Sequence, residues 1–201
     1  MSKIDLKKTL KHLYHAPSHK PSIVEVPTMN YIMIDGKGLP DETNFQDAAR
    51  TLFPIAYVTK FIVKGRDPQK DYVVMPMEVK WKLNRNEHGS KRYAWTMMIM
   101  QPAFITLENI NEAIAELKRK KKEVPLSSSV RFDAYEEGLC AQIFHKGPYG
   151  DPMERTFDLL KTDVTERGYE FEKDSHDIYF NDPRRVPPEK LKTLIRVRIW
   201  K

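Results

Sequence analysis

Tyr31-Ile32-Met33-Ile34-Asp35-Gly36-Lys37-Gly38 and Leu139-Cys140-Ala141-Gln142-Ile143-Phe144-His145-Lys146-Gly147-Pro148 share one pattern: an apolar strand that ends in a turn of Lys and Gly. The surroundings of each repeat as well. After the first turn, the apolar spacing of residues 45–61 predicts an amphipathic helix, and residues 72–83 then alternate as a strand that carries Glu78 and Trp81. After the second turn, residues 154–168 predict a helix, and residues 175–180 a strand that carries Asp177 and Tyr179. Residues 93–100 and 191–200 add one further strand to each half. The expected fold is therefore α+β. Two pseudo-symmetric β-α-β-β modules would form a mostly antiparallel sheet with its helices on one side and a central ligand cleft between the modules. In this division 1–21 is an N-terminal extension, 22–104 the first module, 105–129 a connecting helix and linker, and 130–201 the second module.

Punctuation fixes finer detail. Ile4, Leu6, Leu10, Leu13 and Tyr14 suggest a short helix that ends at Pro17 and Pro21. Val24 and Val26 begin a strand that resumes after Pro27 as residues 31–34. Asn44 is the expected N-cap of the first long helix, with Asp47 three residues on, and its inner face holds Ala48, Leu52, Ile55, Ala56 and Thr59. Pro54 should kink that helix. In the strand at 72–83 the odd residues share one face and the even residues the other, so strict alternation puts Glu78 and Trp81 on opposite faces. The polar connection 84–92, with Gly89, is expected to be a hairpin loop and a candidate lid. A helix at 107–122 leads to a linker marked by Pro125 and Ser127-Ser128-Ser129. In the second helix, Phe157, Leu160, Val164 and Thr165 mark the inner stripe.

The chain has 201 residues, 40% of them hydrophobic and 31% charged, enough to bury one sizeable core. No apolar run approaches the roughly 20 residues of a membrane-spanning helix, and the N-terminus has no apolar stretch of the signal-peptide type. No membrane association and a cytoplasmic location are expected. The single cysteine, Cys140, lies in an apolar strand, which excludes an internal disulfide and a Cys-based metal set. The net charge of +6 invites a nucleic-acid reading. Its excess is local, in Lys118 to Lys122 and in the C-terminal arginines and lysines, and no zinc-finger, RNA-recognition or helix-turn-helix signature accompanies it. Nucleic acid is not the expected partner.

Several long stretches resemble the GyrI-like small-molecule-binding domain, which also forms the effector-binding half of multidrug-sensing regulators. They are residues 29–38, the run Asp71-Tyr72-Val73-Val74-Met75-Pro76-Met77-Glu78, residues 95–104, His145-Lys146-Gly147-Pro148-Tyr149, and His176-Asp177-Ile178-Tyr179-Phe180-Asn181-Asp182-Pro183-Arg184-Arg185. The resemblance covers nearly everything from about residue 22 onward and is greatest to stand-alone members. It implies a cleft that binds planar apolar or cationic small molecules. For the stand-alone branch it implies hydrolysis of electrophilic cyclopropanoid DNA-alkylating compounds, with non-catalytic binding or sequestration as the alternative. Two departures stand out: Asp177 replaces a Glu one methylene longer, and Lys82 replaces the second of two Trp residues.

The candidate catalytic residues are Glu78, Asp177, Tyr149 and Tyr179. Glu78, with Asp177 as second candidate, would hold and deprotonate a water. A hydroxyl of Tyr149 or Tyr179 would donate to an oxygen that gains negative charge. Trp81, Trp95, Tyr57, Phe53 and His145 are the candidate ligand-binding residues, the aromatic ones as stacking walls. Glu78 could instead pair with Lys80 or Lys82. Such chemistry asks for no metal and no organic cofactor, and the expected partner is a planar hydrophobic small molecule. The sequence leaves the oligomeric state open.

Overall fold

The computed structural model describes residues 3–85 and 91–201. Two four-residue helices, α1 (Leu6–Thr9) and α2 (Lys11–Tyr14), precede strands β1 (Ser22–Val26) and β2 (Met29–Lys37). Helix α3 (Thr43–Arg66) leads to β3 (Met77–Arg85) and β4 (Lys91–Gln101), and α4 (Leu107–Arg119) crosses to β5 (Arg131–Tyr135) and β6 (Gly138–Lys146). Helix α5 (Asp151–Glu166) leads to β7 (Glu170–Phe171), β8 (Ser175–Tyr179) and β9 (Lys192–Trp200). The main sheet runs β1-β6-β9-β8-β3-β4-β2-β5, with β7 added to β9, and every ladder is antiparallel.

That order is a palindrome of the two repeats about the β3–β8 ladder. β2-α3-β3-β4 matches β6-α5-β8-β9, and the halves join edge to edge at this seam. The leading strands are exchanged: β1 pairs with β6 of the second half, and β5 pairs with β2 of the first. Only Pro27-Thr28 joins β1 to β2, and only Glu136-Glu137 joins β5 to β6. Three Cα steps reach about 11 Å, whereas six strand spacings in a flat sheet would separate β1 from β2 by roughly 30 Å. The sheet must therefore curl until its two ends meet at these crossings, where Thr28 Oγ1 donates to Glu136 Oε2 at 3.2 Å.

The three long helices sit on the convex face. α3 lies over β2 and β4, with α4 packed along its flank, and α5 lies over β6. Phe45, Ala48, Leu52, Ile55, Ala56 and Val63 of α3 are buried, as a stripe of period 3.6 requires. Leu160 and Val164 of α5 pack on Ala141, Ile143, Ile195, Val197 and Ile199. Full burial of each such aliphatic side chain contributes roughly 1.5–3 kcal/mol. Gly36 is required by a close approach, because a Cβ there would lie 2.3 Å from the Trp95 indole on its partner strand.

Several sequence expectations change. β1 and β2 are separate strands at opposite ends of the sheet, because Pro27 breaks the ladder and the chain crosses there. The strand expected from residue 72 begins at Met77: Tyr72 forms only an isolated bridge with Ile4, and Pro76 has no N–H to donate. Glu42, not Asn44, is the N-cap of α3, and the Asn44 amide instead donates to the Lys37 carbonyl at 3.4 Å. α3 continues through Pro54 to Arg66 as one element. α4 stops at Arg119, and Lys121 takes a positive φ of 52°. Thr165 is exposed, so the inner stripe of α5 is Leu160 and Val164 with Phe157 at its margin. Of the connection 84–92, residues 86–90 lie outside the described residues.

Candidate functional site

The seam register sorts the candidate residues by face. Glu78 pairs with Ile178 and Lys80 with His176, while Met77 pairs with Tyr179, Val79 with Asp177 and Trp81 with Ser175. Directly paired residues share a face. Glu78 and His176 thus lie on the concave side, and Trp81, Asp177 and Tyr179 on the convex side between α3 and α5. The sheet separates Glu78 from the aromatic set with which the sequence grouped it.

On the convex side, Asp177 is 4% exposed, and its Oδ1 has no hydrogen-bond partner. Tyr179 donates its hydroxyl to Asp177 Oδ2 at 3.3 Å and accepts the Trp81 indole N–H at 3.0 Å. Burial pushes the Asp177 carboxyl up to about 7 against the opposing pull of His176 on the far face. Burial likewise drives the Tyr179 phenol well above its ordinary value. Tyr149 stands edge-on to Tyr179, with ring centroids 5.8 Å apart, and is 37% exposed. Trp81 stacks on Phe45 at 5.4 Å and meets Tyr93 edge-on at 6.0 Å. An acid near neutrality, a tethered phenol and a partly open phenol therefore share one aromatic floor.

The concave side holds a charge-balanced buried network. His176 lies between two carboxylates: Nδ1 is 2.9 Å from Glu137 Oε2, and Nε2 is 2.9 Å from Glu78 Oε2. The second contact is an ion pair whose ring N–H is not aligned on the oxygen, so both atoms lack a formed hydrogen bond. Arg196 reaches Glu137 at 3.0 Å and donates to Gln142 Oε1 at 3.2 and 3.1 Å. Burial alone would lower the His176 pKa, but Glu137 and then Glu78 raise it to about 9. Burial would raise Glu137, but His176 and Arg196 hold it at about 2. Two acids and two bases thus neutralise one another out of water, the condition under which buried charges persist.

Glu78 is 0% exposed and accepts the Tyr14 hydroxyl at 2.9 Å. Its partners are therefore Tyr14 and His176, and neither Lys80 nor Lys82. Lys80 donates to the Tyr135 hydroxyl and lies over that ring. A groove of about 660 Å³ opens on the same face, its wall including Met33, Lys80, Thr96, Met98 and Tyr135. Its charges are largely satisfied already, since Arg131 is held by Asp35 at 3.1 Å and Asp133 at 2.6 Å.

The remaining candidates are dispersed. Trp95 is buried against Phe45 and Gly36. His145 is buried, with Nδ1 2.8 Å from Thr156 Oγ1 and Nε2 3.1 Å from the Pro148 carbonyl. Tyr57 is 48% exposed, and Phe53 is half-buried. Phe53 and Tyr57, four residues apart, share one face of α3 on which Phe61 follows, and Val58, Phe61 and Ile62 border the groove toward α4. Sequence reasoning missed Tyr14, Glu137, Gln142 and Arg196. The available signal was Gln142 inside an otherwise apolar run; nothing comparable marks Arg196, which shares its strand with Lys192, Thr193 and Arg198.

No curated protein matches the chain. Among solved structures, a conserved protein from Listeria innocua is 35% identical, covering 98% of this chain and 100% of its own, with a TM-score of 0.88. A second, described as a hydrolase from Listeria innocua, is 35% identical over 98% of this chain and 100% of its own, with a TM-score of 0.85. The C-terminal domain of EcmrR shares the fold at 14% identity, covering 90% of this chain and 98% of its own, with a TM-score of 0.51. The model of the GyrI-like small molecule binding domain matches residues 19–199, and the chain belongs to that family.

Proposed function

We propose that this small-molecule-binding chain is a hydrolase of electrophilic, cyclopropanoid DNA-alkylating compounds, and that its site is the convex seam at Asp177. The observation that carries the reading is the buried, unpartnered Oδ1 of Asp177 on an aromatic floor with two tyrosines. A carboxylate whose pKa lies near 7 is suited to take a proton from water at neutral pH. The likeness to a protein described as a hydrolase agrees with this.

Asp177 takes a proton from a water whose oxygen bonds to the strained ring carbon. The ring C–C bond breaks, and its electron pair moves through the conjugated dienone to the carbonyl oxygen. Tyr149 donates a hydrogen bond to that oxygen, which takes a proton from solvent while Asp177 gives its own back to solvent, so that the net change is addition of water. Tyr179 has its own hydroxyl proton engaged on Asp177, so it orients the acid. Trp81 fixes Tyr179 and offers a stacking face.

The test is to incubate a cyclopropanoid alkylator with wild type and with Asp177→Asn, then quantify retained compound and water adduct by mass spectrometry. Wild type should give the adduct. The variant should keep the compound and lose at least about 100-fold in single-turnover rate. An unchanged rate in Asp177→Asn would remove the assignment, and retention without adduct in wild type would establish the binding-only alternative.

A further inference from the structure

The segment from Ile4 to Pro17 precedes the residues matched by the family model, yet it makes buried polar contacts at the centre of the concave face. Its contacts are specific. Tyr14 donates its hydroxyl to Glu78. Arg196 Nη2 donates to the Leu13 carbonyl, and the Gln142 amide donates to the carbonyls of His12 at 2.7 Å and His15 at 3.3 Å. Leu13 and Ala16 are buried beside them, whereas Lys11, His12, His15 and Pro17 are exposed. Each end is tied down by backbone bonds: Val73 N–H donates to Ile4 O at 2.8 Å, and Phe144 N–H to Pro17 O at 3.1 Å. Ser18-His19-Lys20 then forms an exposed bend that leads into β1.

What the sheet offers at this place is a carboxylate, a guanidinium and a side-chain amide, none of which an apolar plug could satisfy. What the segment supplies in return is one phenol donor and three main-chain acceptors. Glu78 belongs to the first half of the sheet, and Gln142 and Arg196 to the second, so the segment is read from both sides of the seam.

We propose that the concave face carries a peptide-recognition site, distinct from the Asp177 seam, that reads a tyrosine hydroxyl and three backbone carbonyls and is filled in cis by residues 10–17. The segment is then a ligand held in cis, with Leu13, Tyr14 and Ala16 as the anchors that pack into the main core.

The test begins with the full-length folded protein, carrying a specific protease sequence at residues 18–20 and cut there. A fluorescent peptide of residues 4–17 should exchange into the cut protein in a saturable way, and its Tyr14→Phe version should bind at least about tenfold more weakly, as expected for a lost hydrogen bond to a carboxylate. Absence of exchange, equal affinity of the two peptides, or loss of near-ultraviolet dichroism whenever the segment departs would each overturn the proposal. Native-state hydrogen exchange on the uncut chain gives a second reading. The Val73 and Phe144 amides, whose acceptors are on the segment, should exchange ahead of Ile195 in β9. In the Tyr14→Phe chain they should exchange at least about tenfold faster while Ile195 is unchanged. Exchange of all three only together would show that the segment opens solely with the whole fold.

Discussion

Replacing Asp177 by Asn should stabilise the protein at alkaline pH and leave it nearly unchanged in acid. The carboxyl ionises near its ordinary 3.8 in the unfolded chain and at about 7 in the native seam, because burial disfavours the charged form. Between those values the native state holds the extra proton, so stability falls as pH rises from about 4 to about 7 and the loss is complete above that range. Three units at 1.36 kcal/mol each give about 4 kcal/mol. This is a ceiling, since any water admitted to the seam would relieve part of the penalty. Asn keeps the shape and cannot ionise. Urea unfolding of both proteins at several pH values between 4 and 9 measures the difference. The stability linked to His176 is present below about 6.5 and is lost as pH rises through about 9; it occurs in both proteins and cancels. About one of those units is already spent at pH 5, so the variant should gain up to about 2.5 kcal/mol on wild type between pH 5 and pH 8. A difference that does not vary with pH over that interval would refute the account of a desolvated acid.

Arg196→Met removes one of the two cations that neutralise Glu137 and should cost about 3–5 kcal/mol in denaturant unfolding at pH 7. Gly36→Ala forces a methyl into the Trp95 indole and should lower stability by about 1–3 kcal/mol, with a changed near-ultraviolet tryptophan signal. Trp81→Phe preserves a ring against Phe45 but removes the N–H that Tyr179 accepts; turnover should fall about tenfold with ligand affinity within a few-fold, measured by single-turnover kinetics and equilibrium binding. In the wild type, stability should decline as pH rises from about 6.5 through about 9, and His176→Gln should flatten that limb of the curve.

The repeated order of elements was legible because it is written in local signals: apolar runs in residues 31–34 and 139–144, helical spacing in Ala48, Leu52 and Ile55, and Lys-Gly turns after the two strands. Strand parity even warned that Glu78 and Trp81 part company, and the β3–β8 register separates them as the period of two requires. The partners of Glu78 were beyond reach, since Tyr14 arrives from 64 positions away and His176 from across the seam. Nothing local marks such pairings. No local signal singles out Glu137, because its role follows from the curl of the sheet, which brings the short β5–β6 crossing over the concave face. Asp177 looked like the lesser acid by chain length. Under the proposed function it becomes the working acid, because its Oδ1 has no hydrogen-bond partner on the side where the aromatics gather.

The exchange of β1 and β5 between the two repeats ties their fates together. Each half owes an outer ladder to the other, so heat or denaturant should melt both in one transition. A nick in the stretch after α4 would leave two fragments that still grip one another, because neither could diffuse away before tearing a strand from its counterpart. What is laid out as two copies of one pattern behaves as a single mechanical object.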